Sequence, residues 1–153
     1  MLRRYRSPDA EGLAGLFRES VLTLGASFYS GEELGAWASF GDRLEDFRRS
    51  LGEGFTLVAE SDGGEIQAFG QLHPADHVAL LYTSPRWPRR GLATSILAAL
   101  ERQAAGSGAR DVRAEVSRVA RALFEKAGYR VSGSEAVERA AVRIERFAML
   151  KTL

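Results

Sequence analysis

The residues best suited to chemistry stand together between Leu80 and Thr94, as Leu-Leu-Tyr-Thr-Ser-Pro-Arg-Trp-Pro-Arg-Arg-Gly-Leu-Ala-Thr. An apolar run ends at Ser84-Pro85, a turn carrying Arg86, Arg89 and Arg90 follows, and Gly91-Leu92-Ala93-Thr94 opens a segment of helical periodicity. The first backbone N–H groups of a helix lack intrahelical acceptors and lie at the positive end of its dipole, so they converge on an anion placed there. Gly91 and Ala93 keep side chains out of that space, and the arginines add positive charge beside it. The chemistry predicted is the holding of a pyrophosphate. Neither familiar nucleotide loop fits: there is no Gly-Lys-Ser/Thr, and the glycines do not follow the dinucleotide spacing with its downstream acid.

Such a turn needs a strand before it and a helix after it. His77 to Thr83 reads as the strand, closed by Ser84-Pro85 because proline cannot continue a ladder. Leu92 to Ala105 reads as the helix, with Ala93, Leu97, Leu100 and Ala104 on one face and Gly106-Ser107-Gly108 stopping it. Before this unit, Phe55, Leu57 and Ala59 alternate, and Ser61-Asp62-Gly63-Gly64 leads to Ile66–Leu72, which together read as a hairpin. After it, Val112, Ala114 and Val116 alternate as a strand, Val119, Leu123, Phe124 and Ala127 give a helix closed by Gly128, and two strands follow at 129–137 and 142–151.

The front third is helical. Leu2 to Tyr5 is a short strand, Ser7-Pro8 starts a helix with Ser7 as its N-cap, and Leu13, Leu16, Phe17, Val21 and Leu24 follow at helical spacing. Ser30 and Glu33 have the spacing of a capping box before Leu34, Trp37 and Ala38, and a third short helix begins at Asp42. The fold class expected is α/β (α+β): a mixed central sheet with helices on its faces, built as one domain over residues 1–153.

The arrangement resembles the GCN5-related N-acetyltransferase (GNAT) superfamily over nearly the whole chain. Members carry Arg/Gln-x-x-Gly-x-Gly/Ala between their fourth strand and third helix, and Pro88-Arg89-Arg90-Gly91-Leu92-Ala93 matches at Gly91 and Ala93, with Pro88 departing at the first position. Ser117 to Tyr129 is similar to a second family stretch, Asn-x-x-Ala-x-x-Leu/Phe-Tyr-x-Lys-x-Gly-Phe/Tyr. Here Ser117 replaces the common asparagine, and Phe124 replaces a tyrosine proposed as general acid. Ser117 together with Tyr29-Ser30, Trp37 and Met149-Leu150-Lys151 is similar to one bacterial branch of small-molecule acetyltransferases.

The resemblance implies a mostly antiparallel sheet, acetyl-CoA as cosubstrate, and direct transfer of an acetyl group to a primary amine of a small molecule or peptide. It implies that Leu81, Tyr82 and Thr83 offer backbone groups to the pantetheine and one amide to the oxyanion. Around Gly91, it implies that Arg89, Arg90, Leu92, Ala93 and Thr94 hold the phosphates, with Ser117 and Phe124 lining the cofactor groove. An ammonium must lose a proton before it attacks. His77, where histone-type members place a glutamate base, is the first candidate, with His73 behind it; the alternative is an exposed turn residue. Glu115 either holds a relaying water or pairs with an arginine. Tyr129 either protonates the thiolate in place of the missing tyrosine or plugs the core. Phe28, Tyr29 and Trp37 either line an acceptor pocket suited to an apolar, aromatic or cationic amine, or belong to the core. The absent tyrosine at 124 also motivates a second reading, an acyl-CoA-binding sensor or regulatory module without catalysis.

Composition narrows the classes. Lys plus Arg number 21 and Asp plus Glu 20, so no overall field attracts nucleic acid, and a binder using the turn's arginines is disfavoured. No cysteine is present, which excludes disulfides, thiolate metal sites and a cysteine nucleophile; no metal site is read. The basic N-terminus leads into no apolar run of membrane-spanning length, and a cytoplasmic protein without a membrane partner is the expectation. Members of the family often dimerise, so a homodimer is kept as an expectation.

Overall fold

A computed structural model describes residues 1–88 and 90–153; Arg89, one of the cations expected beside the phosphates, lies outside the described residues. Strand β1 (Leu2–Arg4) is followed by helices α1 (Ala10–Leu24), α2 (Gly31–Ala38) and α3 (Leu44–Gly52). Then come β2 (Phe55–Glu60), β3 (Ile66–Leu72), β4 (His77–Thr83), α4 (Leu92–Gly106), β5 (Asp111–Val116), α5 (Arg121–Lys126), β6 (Arg130–Arg139) and β7 (Val142–Thr152). The strands form a sheet in the order β1-β2-β3-β4-β5-β7-β6, antiparallel everywhere except between β4 and β5. No helix among the described residues is long and apolar enough to cross a membrane.

Local chemistry accounts for most element boundaries. Ser30 caps α2 as its spacing predicts, accepting from Glu33 N–H at 3.1 Å while the Glu33 carboxylate takes Ser30 N–H at 2.8 Å. Ser7, expected to cap α1, does not. Residues Ser7–Asp9 form a single 3-10 turn, and the Asp9 carboxylate reaches back to the Arg6 N–H at 2.8 Å. Asp9 also takes a two-pronged bond from Arg3 at 2.8 and 2.9 Å, which ties edge strand β1 to the start of α1. Helix α5 starts later than its apolar spacing suggests, because Ser117 first closes a turn by accepting from Ala120 and Arg121 N–H at 3.2 and 3.1 Å.

The sheet is covered on both faces. On one face Leu97 and Leu100 of α4 are buried with Val112 and Met149 of the sheet, and on the other Leu13 and Phe17 of α1 and Phe47 of α3 are buried with Phe69 of β3. Helix α4 lies close on β3 because residue 70 is glycine: a Cβ there would stand 2.6 Å from the Ile96 Cγ2. The isoleucine is β-branched and cannot swing aside within a helix.

Strand β4 sets up the site. Its pairing with β3 slips between Gln71↔Leu80 and Leu72↔Val78, leaving Ala79 as the extra residue of a β-bulge. The bulge resets the alternation, so Val78 and Leu81 both pack toward α4 while Leu80 and Tyr82 pack toward α1. Simple period-two reading of His77–Thr83 cannot anticipate that reset.

Candidate active site

The bulged strand parts from its neighbour. β4 and β5 are paired only at His77↔Arg113 and Val78↔Ala114. Beyond that point β4 continues on β3 as far as Ala68↔Thr83, and β5 continues on β7 as far as Val116↔Phe147. From Ala79 onward the inner edge of β4 therefore faces a gap instead of a strand, and its backbone donors and acceptors are open to a ligand.

A cavity of about 210 Å³ fills the gap, walled by Ala79–Tyr82 on one side and Glu115–Ser117 on the other. A second, of about 200 Å³, continues toward Thr83, Ala93 and Leu123. The two share Trp37, Leu81, Tyr82, Ser117 and Ala120, so they form one cleft running from the aromatic front of the molecule to the start of α4.

At that end, Gly91 caps α4 with φ +66° and ψ +20°, a left-handed conformation that favours glycine. Among the described residues other than its chain neighbours, no atom outside the backbone of α4 lies within 4 Å of the place a Cβ would take, leaving an open hollow. The first helical ladder bond runs from Ser95 N–H to Gly91 O at 3.0 Å, so the N–H groups of Leu92, Ala93 and Thr94 precede the ladder and point outward. The turn's cations differ in placement. Arg86 is paired with Glu19 at 3.1 Å, whereas Arg90 is exposed and its guanidinium lies 5.2 Å from the centre of the Trp87 ring.

At the pinch where β4 and β5 separate, His77 and Glu115 meet through Nε2 and Oε2. The parallel register predicts this, since His77 stands beside Arg113, two residues before Glu115 on the same face. The other ring nitrogen, Nδ1, lies 2.9 Å from the His73 carbonyl oxygen. Nδ1 faces an acceptor and so carries a proton, and the Nε2–Glu115 contact shares a single proton between ring and carboxyl group. Burial pushes the Glu115 carboxyl up, but the His77 hydrogen bond and the positive charges of His77 and Arg146 outweigh it and hold the group below its ordinary value. Glu115 is the member that reaches the cavity wall; His77 stands behind it. His73 is drawn toward Glu53 at 3.9 Å instead.

The front wall is aromatic. Tyr29 and Trp37 line the cavity with Phe17, Phe40 and Tyr82, and Phe17 meets Tyr82 edge-on with ring centres 4.8 Å apart. Trp37 Nε1 donates to the Tyr82 hydroxyl at 3.3 Å, and burial pushes that phenol up to about 12. The Tyr29 hydroxyl donates to the Glu145 carbonyl at 2.9 Å and accepts from the Arg118 N–H at 2.9 Å, stitching the front helices to β7 and the β5–α5 turn. Phe28, by contrast, is exposed and contributes only its carbonyl, to Arg118 at 2.9 Å.

Phe124 lines the cavity, where its ring supplies no proton donor. Tyr129 is not brought to the cleft. It packs edge-on behind Phe124 with ring centres 4.9 Å apart, its hydroxyl buried near Glu101, and burial together with that carboxylate raises it well above the ordinary phenol value. Sequence reasoning missed four charged residues of the cavity rim, Arg139, Glu145, Arg146 and the adjoining Arg118. All but Arg118 come from β6 and β7, whose alternation gave no hint of which face meets a ligand.

A splayed strand pair whose free edge leads to a glycine-led helix, with a carboxylate at the pinch, can hold an extended ligand that ends in a phosphate. Comparison with known proteins agrees. A family model described as an acetyltransferase (GNAT) domain matches residues 26–151. A crystal structure from Rhodopseudomonas palustris, titled a GCN5-related N-acetyltransferase, is 32% identical, covers 100% of this chain and 95% of its own, and superposes with a TM-score of 0.97. The PaiA N-acetyltransferase of Thermoplasma acidophilum, solved with coenzyme A, is 21% identical with a TM-score of 0.79, covering 100% of this chain and 98% of its own. An uncharacterized N-acetyltransferase of Escherichia coli, YafP, is 23% identical over 90% of this chain and 85% of its own length. The chain belongs to the GNAT acetyltransferase family. It is accordingly an acetyl-CoA-dependent acyltransferase with the mixed, mostly antiparallel sheet of that family.

Proposed function

We propose that this chain transfers the acetyl group of acetyl-CoA to a primary amine of a small molecule or peptide by direct attack on the thioester. The observation that carries the reading is the single cleft in which the start of α4 at Ala93, the unpaired edge of β4 and the Glu115 carboxylate follow one another. The N–H groups of Leu92, Ala93 and Thr94 hold the pyrophosphate, with Arg90 beside it and Arg89 expected there. Backbone groups of Leu81, Tyr82 and Thr83 align the pantetheine and present a strand amide to the carbonyl oxygen. Ser117 and Phe124 close the opposite wall.

Acetyl-CoA supplies an activated acyl carbon: the amine nitrogen bonds to it, the carbon–sulfur bond breaks and the thiolate leaves. Glu115 receives the proton that the attacking ammonium must lose, and His77 positions it from behind. The expected base thus moves from His77 to the carboxylate that His77 holds. Phe124 offers no hydroxyl to the thiolate and Tyr129 packs away from it, so the second proton, shed by the nitrogen as the amide forms, passes to solvent and the sulfur takes its proton from there. Tyr29 and Trp37 shape the acceptor end.

Calorimetry with acetyl-CoA and a thiol-release assay over a panel of amines test this. Binding together with steady thiol release is expected. Failure to bind acetyl-CoA overturns the reading, and tight binding without transfer to any amine replaces it with an acyl-CoA sensor.

A further inference from the structure

The acceptor cavity holds charges of both signs. Among those on its wall, Glu115 is paired with His77, Glu145 with Arg118 at 2.6 Å, and Arg146 with Glu135 at 2.7 Å. Arg139 lines the same cavity, is half-buried, and has no carboxylate within 4.0 Å among the described residues; one of its nitrogens bonds only the Glu138 carbonyl at 3.0 Å. The Tyr82 side chain lines the same cavity. Its oxygen is occupied by Trp37 Nε1–H, and its own proton has no protein acceptor among the described residues. Burial raises that phenol, while the Trp37 hydrogen bond and the positive charges of Arg139 and Arg146 pull against the rise.

A neutral acceptor filling this cavity would strip water from a guanidinium and a phenolic O–H while giving neither a partner, which costs free energy at both. A carboxylate or comparable oxyanion satisfies both with charge-assisted bonds. Register fixes where the anion lies relative to the amine. Arg139 pairs with Val142 at the closed end of the β6–β7 hairpin, whereas Glu115 pairs with Ala148 further along β7. Much of the remaining lining is apolar, with Phe17, Tyr29, Trp37, Phe40 and Ile144 on it.

Resting on the acetyl-transfer reading above, we infer that the acceptor is a small amino acid-like molecule whose primary amine and oxyanion sit at opposite ends of an apolar spacer, the amine at Glu115 and the anion between Arg139 and Tyr82.

The test compares matched acceptors with and without the carboxylate: 4-(aminomethyl)benzoate against benzylamine, and 6-aminohexanoate against hexylamine. The acid is expected to exceed its amine at least tenfold in kcat/KM in one pair or both. R139Q is expected to raise KM for the acid at least tenfold with a smaller effect on kcat, and R139K to restore part of the loss. Equal or better use of the plain amines in both pairs overturns the inference, as does an R139Q effect of the same size on acid and amine. A binding readout stands apart from turnover: Trp37 on the cavity wall should report 4-acetamidomethylbenzoate by a fluorescence change that R139Q weakens. If acetyl-CoA does not bind, the acetyl-transfer reading falls by itself, while a fluorescence titration showing no selectivity for the anion removes the anion receptor by itself.

Discussion

Glu115 and His77 show what a single residue pair can and cannot reveal from sequence. His77 was legible as a candidate base because it opens the strand before the anion turn, but an exposed turn residue accounted for it equally well. Its relation to Glu115 was not, because 38 residues separate them and only the register of two parallel strands brings them together. The pair makes a definite prediction. E115Q removes the proton acceptor and should lower kcat by roughly 10²–10⁴-fold, the usual span for a general base, with acetyl-CoA affinity by calorimetry little changed. The pair also contributes stability with a fixed sign. The Glu115 carboxyl is held below its unfolded value of about 4.3, so its contribution is present above that value and is lost as pH falls through the folded value. The difference in thermal midpoint between the wild type and E115Q should therefore be largest near neutrality and vanish at strongly acid pH, as followed by circular dichroism; a difference that grows on acidification contradicts the assignment.

At the scale of elements, the anion turn and α4 could be read directly, because glycine, proline and helical periodicity are local signals. The bulge at Ala79 could not, since alanine in a strand announces nothing. The β6–β7 turn is similar. Its two central residues, Ala140 and Ala141, have φ of +47° and +63°, the conformation of a tight hairpin turn that asparagine and glycine normally fill. Reading the strands only as far as 137 and from 142 reflects that missing signal; the structure carries β6 to Arg139. A left-handed alanine costs about 1–2 kcal/mol, so A140N/A141G should stabilise the chain by about 1 kcal/mol and raise its melting midpoint by about 2–4 °C, measured by differential scanning calorimetry. Gly91 is the converse case. G91A places a methyl in the hollow and an L side chain at φ +66°. It should weaken acetyl-CoA binding at least tenfold while costing about 1–2 kcal/mol of stability, two effects that calorimetry and melting separate.

The whole molecule explains why the cleft stays formed. The two halves of the sheet share only two register pairs at the β4–β5 junction, and beyond them the gap is bridged from in front, by α2 and the segment before it. Tyr29 carries that bridge through its paired bonds to Glu145 and Arg118, with Arg118 held in turn by Glu145. These contacts span 116 and 89 residues, which is why the sequence showed Tyr29 only as an aromatic of uncertain duty, pocket or core. Y29F keeps the ring but removes both bonds to a part-buried carbonyl and N–H, at a cost of about 1 kcal/mol. A ligand lying across the gap does part of the same work. Acetyl-CoA at 100 times its dissociation constant should stabilise the wild type by about 2.7 kcal/mol. In a melting experiment Y29F should lower the midpoint of the free protein, and the cosubstrate should raise it in both proteins. The rise should be smaller in Y29F, because part of the binding energy then goes to rejoining halves that the tyrosine otherwise holds together. Equal rises in the two proteins would assign Tyr29 to the stability of the front helices alone.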